Sequence, residues 1–296
     1  MMYAKLMTRV PIRFYSSRLK DKQIHNFISI RKLDPNYQKL ESQCNCYFEN
    51  LKLADPITPI TNITNGSSTP PRSTIPIYKR HVLLIDETSN GKQAHMRWKS
   101  KVEDNDGVYP YGILKKIKEK NVELMKEGNQ ECLPILTTVV ELLNVQVDKK
   151  TEDSNKNTYK LLCLPEWKVL KFDESSIDEV CELVNKPDLN DTSVELLPFD
   201  TNELLLVCGH NQRDARCGVM AKELATKMES KHPLGLVSHI GGHKFAGNVI
   251  MYKQVEDMTH SYWFRHMNPL VVDCVLEEAR RGNLVSEFYR GSISFK

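Results

Sequence analysis

Two short runs in the carboxy-terminal third hold residue types that bind transition metals. Cys208-Gly209-His210-Asn211-Gln212-Arg213-Asp214-Ala215-Arg216-Cys217-Gly218 sets two thiols at Cys-x8-Cys spacing, and His239-Ile240-Gly241-Gly242-His243 sets two imidazoles at His-x3-His. Thiolate and imidazole are the usual protein donors for zinc and for iron–sulfur iron. A lone strand-end Cys is ordinarily a core residue, and a lone His beside Gly a loop hydrogen-bonder. Two of each in paired loops point instead to a metal. Gly209, Gly218, Gly241 and Gly242 remove Cβ atoms that would keep a bound centre from the backbone. A helix N-terminus suits Cys217 as a thiolate, and Arg213 and Arg216 bring positive charge. His210 lies inside the first loop and is available as a substitute ligand. Two Cys and two His fit a structural zinc, although Cys-x8-Cys is long for a zinc knuckle. They equally fit a [2Fe–2S] cluster with Cys₂ on one iron and His₂ on the other, and donor type alone leaves both open.

Both runs leave the ends of apolar strand candidates, Glu203–Val207 and Leu234–Ser238, where ligand sites of open α/β sheets gather. Met220, Leu224 and Met228 mark an amphipathic helix between them. Val249–Tyr252 reads as a third strand, and Tyr262–Phe264 begins a fourth. A last helix follows Asn268-Pro269, with Val271, Cys274, Val275 and Ala279 inward and Gly282 as its stop. This order is close to a thioredoxin-like domain. Upstream, His81–Ile85 is a buried strand, and a helical stripe from Ile113 to Met125 stops at Gly128. Ile135–Val147 and Tyr159–Leu164 are strands around a polar insert, and Ser176 with Glu179 forms a capping box for another helix containing Cys181. The reading is an α/β protein of two α/β halves, an amino-terminal one over 79–198 and a thioredoxin-like one over 199–296, with no sequence repeat between them. A length of 296 residues fits about two domains.

The run Cys208–Gly218, followed by Ser238-His239-Ile240-Gly241-Gly242-His243 and Phe245-Ala246-Gly247-Asn248, resembles the sucrase/ferredoxin-like family of thioredoxin-like ferredoxins. Weaker matches are Cys44-Asn45-Cys46, His81–Ile85, Trp263-Phe264 and Tyr289-Arg290-Gly291-Ser292-Ile293-Ser294. The resemblance implies a [2Fe–2S] ferredoxin domain over 199–296, with Cys208 and Cys217 on the inner iron and His239 and His243 on the outer one. It implies electron transfer or redox sensing rather than conversion of a substrate. Neutral imidazoles in place of two thiolates raise the potential above the roughly −400 mV of plant-type ferredoxins.

The formal net charge of +3 sits at the front: residues 1–15 hold Lys5, Arg9 and Arg13 and no acid, and account for the whole surplus. An Arg-bearing, acid-free leader over 1–15, with Arg13-Phe14-Tyr15-Ser16 resembling the matrix-processing cleavage junction, reads as a mitochondrial transit peptide. It addresses the matrix first, and is compatible with the intermembrane space. Residues 16–78 read as a flexible arm and linker, because 54–76 carry five of the 14 prolines among Ser, Thr and Asn. Balanced charge elsewhere argues against nucleic acid, and no apolar run reaches the roughly 20 residues of a membrane span. The partners expected are redox proteins. Cys44 and Cys46 form Cys-x-Cys, the basis of an alternative reading as a thiol oxidoreductase, although the chain has no Cys-x-x-Cys. Cys132, Cys163 and Cys274, and the three tryptophans, read as packing. If the outer imidazoles reach solvent, reduction takes up protons. The reduction potential then falls as pH rises from about 6 to 9, and a potential flat over that range, followed by visible absorption, contradicts the expectation.

Overall fold

The computed structural model describes residues 25–33, 37–60, 73–88, 94–104, 107–129, 131–147 and 157–296. The leader over 1–15 and residues 61–72 of the expected linker lie outside them. Near the amino terminus come β1 (Asn26–Ile28) and α1 (Tyr37–Asn50). Next are β2 (Arg80–Ile85), α2 (Gly112–Lys126), β3 (Ile135–Leu142), β4 (Tyr159–Leu164), β5 (Lys168–Phe172), α3 (Ile177–Leu183) and β6 (Glu195–Pro198). The last third holds β7 (Glu203–Cys208), α4 (Ala215–Met228), β8 (Leu234–Val237), β9 (Val249–Val255), β10 (Met258–Phe264), α5 (Val272–Arg280), β11 (Asn283–Val285) and β12 (Tyr289–Phe295). Among the described residues no helix is long and apolar enough to cross a membrane.

The two halves follow one path. In the first, β2 and β3 are parallel across α2, β4 lies antiparallel on the other side of β2, β5 follows it, and after α3 comes β6 against β5. In the second, β7 and β8 are parallel across α4, β9 lies antiparallel to β7, β10 follows, and after α5 comes β12 against β10. The core of that path is the thioredoxin-like strand order. The halves share one 10-stranded sheet, β12-β10-β9-β7-β8-β3-β2-β4-β5-β6, joined where β3 meets β8 antiparallel. Pairing equivalent strands antiparallel is what a two-fold axis through the seam generates. Gly235 lies on that seam, where a Cβ would come within 2.8 Å of Val140 Cγ2.

α2 and α3 cover the face of the first half that carries Val82, Leu84 and Leu161. The opposite face, with Leu83, Ile85 and Leu162, joins the core of the second half. A flat sheet would hold β2 and β9 about 19 Å apart, four strand spacings. Instead His81 on β2 bonds Tyr252 on β9, Nδ1 to hydroxyl at 2.8 Å. The sheet is therefore strongly coiled, and its halves close on each other. The closure is polar as well as apolar. His81 Nε2 meets Thr138 Oγ1, Tyr252 meets the Tyr78 hydroxyl, and Tyr78 meets Ser261 Oγ at 2.9 Å, to which the Trp263 indole N–H also donates.

Several expectations are corrected. The segment read as a flexible arm holds β1, which pairs with β11 in parallel, and α1, which buries Cys44 and Phe48 against the second half. Leu40, Cys44, Tyr47, Phe48 and Leu51 recur at helical spacing, which lets that segment bury an apolar stripe. The ends of the expected linker are also held: Ile57 and Ile60 are buried, Thr58 N–H donates to Lys244 O, and Thr74 N–H to Arg290 O. The strand expected over Ile135–Val147 ends at Leu142, and β5, β6 and β12 had no strand expectation. The Ser176–Glu179 capping box does not form. Asp173 caps the preceding turn by accepting from Ser175 N–H, and Glu179 accepts from Thr192 and Ser193. Cys163 and Cys181 are core residues, while Cys132 and Cys274 are only half-buried.

His81 is fully buried, and burial lowers its pKa to about 3 from the usual 6.5. The unfolded chain therefore binds a proton between those values that the folded chain does not. Stability is expected to be full above about pH 6.5 and to fall as pH drops towards 3. Denaturant midpoints measured against pH check this; His81→Asn is expected to be less stable at neutral pH, with a shallower acid slope.

Candidate metal centre

β7 and β8 run parallel, so the loops carrying the four candidate ligands leave the same sheet edge. Cys208 is the last residue of β7, and its backbone N–H donates to Asn248 O. Cys217 sits in the first turn of α4, which Asp214 caps by accepting from Arg216 N–H. The same carboxylate pairs with the Arg216 side chain at 2.7 Å. His239 lies one residue beyond β8, after Ser238. Gly241 and Gly242 then take left-handed backbone, φ 77° and 69°, and turn the chain into a short 3-10 turn that begins at His243.

The ligand atoms of Cys208, Cys217 and His239 all lie within 4.8 Å of one another. His243 stands outside that group, its ring centroid 5.4 Å from that of His239. Burial grades across the site: both thiols are inside, His239 is half-buried and His243 exposed. His239 Nδ1 is buried with no hydrogen-bond partner. An orphaned imidazole nitrogen beside two buried thiols is the donor arrangement that a metal satisfies. The Cys208 thiol is held well below its usual range by the hydrogen bond from Cys217, with His239 and the Ile240 N–H adding. Cys217 is pushed up, first by sharing its proton with Cys208 and then by burial. A bound cation would let both ionise together. The donor set fits a metal centre.

Three neighbours position the loops. His210 Nδ1 accepts the His239 backbone N–H at 3.2 Å while Nε2 donates to Lys99 O at 2.8 Å, so the partners fix its tautomer. It is a positioning residue rather than a substitute ligand. Lys99 belongs to the first half, and Trp98 meets the His210 ring edge-on. Asn248 Nδ2 donates to Gly242 O, and Asn248 Oδ1 accepts from Arg290 Nη1. Arg290 Nη1 also donates to Gly241 O at 3.1 Å. Residue type and spacing mark the four candidate ligands, of which the structure groups Cys208, Cys217 and His239, but Asn248 and Arg290 carry no such signal. Gly242 makes room for the Arg290 guanidinium: a Cβ there would lie 2.7 Å from Cζ. Arg216, expected to offset thiolate charge, is neutralised by Asp214, and Arg213 is exposed.

Cys44 and Cys46 are not brought together as a working pair. Two residues apart on α1 they point to different sides, Cys44 buried and Cys46 exposed. Burial also raises the Cys44 thiol.

Fold and site together define a two-halved, thioredoxin-like α/β protein with a thiol–imidazole cluster at its parallel strand ends. The family model described as Sucrase/ferredoxin-like matches residues 71–291, and the chain belongs to that family. It is similar to altered inheritance of mitochondria protein 32 of Saccharomyces kudriavzevii, 27% identical over 91% of this chain and 94% of that protein. The protein of the same description from Eremothecium gossypii is 28% identical over 77% of this chain and 83% of its own length. That from Candida glabrata is 24% identical over 75% and 81%. No solved structure matches the chain.

Gly242 and Gly128 share left-handed backbone, but nothing lies within 4 Å of a Cβ at Gly128. Gly128→Ala is expected to cost about 1–2 kcal/mol from backbone alone. Gly242→Ala is expected to cost more by displacing Arg290, and thermal unfolding of the two variants reads the difference.

Proposed function

We propose that the chain is a mitochondrial iron–sulfur protein, in which Cys208 and Cys217 hold the inner iron of a [2Fe–2S] cluster and His239 and His243 the outer one, acting in electron transfer or redox sensing. One observation carries a metal centre here: the donors of Cys208, Cys217 and His239 lie within 4.8 Å of one another, and His239 Nδ1 is buried without a partner. That grouping suits an iron–sulfur cluster or a single ion, and the kinship of the chain favours the cluster. The family's description as ferredoxin-like and the relatives' name, which refers to mitochondria, support the reading, as does the acid-free leader.

When bound, such a cluster supplies a one-electron redox centre. The chain's own residues do the rest. The buried thiols keep the inner position from water, and His210 and Asn248 hold the two histidine-loop segments. Exposed His243 presents the rim to a redox partner protein. The close grouping of Cys208, Cys217 and His239 favours one second reading, a structural zinc in the same ligands.

Visible absorption and metal analysis of freshly purified protein separate the two. A brown sample with charge-transfer bands, containing iron and acid-labile sulfide in equal amounts, is expected; a colourless sample that contains zinc overturns the proposal. Cys208→Ser is expected to abolish the colour. His239→Cys with His243→Cys is expected to keep a cluster at lower potential, and Cys46→Ser to change nothing.

A further inference from the structure

Buried arginines ordinarily bring a carboxylate with them, since an unpaired buried ion costs several kcal/mol. Arg80, with its side chain fully buried, pairs with Glu166, and half-buried Arg280 pairs with Glu203. Arg290 is 5% exposed and makes no ion pair among the described residues. Its Nη1 donates to Gly241 O and Asn248 Oδ1, and its Nη2 reaches Thr74 O at 3.4 Å, all neutral acceptors. Nε is buried with no partner at all. The guanidinium lies over the Trp263 ring at 5.5 Å and against Gly242 in the histidine loop. The groups whose charge reaches it are the Cys208 and Cys217 thiols, which favour its cation, and Arg265, which opposes it. Arg265 also has no carboxylate partner among the described residues, but it lies over the Phe245 ring and donates to Glu287 O, away from the glycine turn.

We propose that Arg290 is the fixed counter-charge of the metal centre, a positioning residue that holds the Gly241–Gly242 turn and stabilises the reduced state over the oxidised one. The inference rests on the iron–sulfur reading. Two ferric ions, two sulfides and two thiolates with two neutral imidazoles sum to zero charge. One electron from a protein donor turns one ferric ion ferrous and leaves the site at minus one, with no bond made or broken. A buried cation bonded to the histidine loop interacts more favourably with the second state, in surroundings that screen it weakly. Arg290 therefore raises the potential.

The test is potentiometry of the full-length protein, followed by visible absorption. Arg290→Gln is expected to lower the reduction equilibrium constant tenfold or more, about 59 mV per tenfold for one electron. Arg290→Lys, which keeps the charge, is expected to retain most of the wild-type potential, and exposed Arg281→Gln to leave it unchanged. An unshifted potential in Arg290→Gln overturns the proposal, as does a fall in Arg290→Lys as large as in Arg290→Gln. If Arg290→Gln does not load a cluster, Arg290→Lys decides: loading near the wild-type potential supports a charge role. Two colourless variants with unchanged circular dichroism make the arginine purely structural and overturn it. A colourless wild type fails earlier, on the iron–sulfur reading itself.

Discussion

The antiparallel contact between β3 and β8 organises everything else in the molecule. Each is the outer strand of a parallel pair, and left alone each would present a row of unpaired backbone donors and acceptors. Pairing them satisfies both rows and makes one sheet of two halves. The coil of that sheet lets the face of the first half that its helices leave bare pack onto β9 and β10, with His81, Tyr78, Tyr252 and Ser261 supplying the polar pairs an interior closure requires.

The site inherits its rigidity from this arrangement. Cys208 ends β7 opposite Val237, the last residue of β8, and His239 follows two residues later, so their separation is held by backbone hydrogen bonding between the two parallel strands. The seam brings the first half's segment around Trp98 and Lys99 under the ligand loop, where it holds His210. The first half is thus part of the site's support, although it contributes no ligand. From the opposite side, β12 delivers Arg290 to the histidine loop. Three parts of the chain, far apart in sequence, converge on about ten residues.

How much of this was legible in the sequence follows from the range of each interaction. The four candidate ligands announced themselves by type and spacing, and β7, α4 and β8 by apolar pattern. α1 escaped because its stripe, Leu40, Cys44, Tyr47 and Phe48, lies between a leader-like segment and a proline-rich one whose composition suggested looseness. β5 escaped because Lys168 and Lys171 break up a short strand, and the expected Ser176 cap fails because Asp173 caps the turn before it while Glu179 is taken by Thr192 and Ser193. The likeness of the two halves is written in hydrogen-bond topology, not in side chains. Where the second half ends a strand with Cys208, the first has Ile85 and then buried Asp86, bonded to Trp98 and Tyr111. Arg290 could not be assigned from its neighbours, since its role depends on a loop some fifty residues away.

A sheet this wide carries an aggregation hazard at its rims, because any free strand edge templates another chain. Joining the halves removes two of the four edges they would expose as separate bodies. One of the remaining rims, β6, is four residues long and ends in Pro198, which cannot donate to a newcomer. At the other, β12 is shielded by Ser73, Thr74 and Ile75: the Thr74 amide already occupies the Arg290 carbonyl, and a side chain at Gly291 would collide with Ser73 and Ile75. The stretch set down in sequence as loose linker thus acts, at its carboxy-terminal end, as a guard that keeps the sheet from growing.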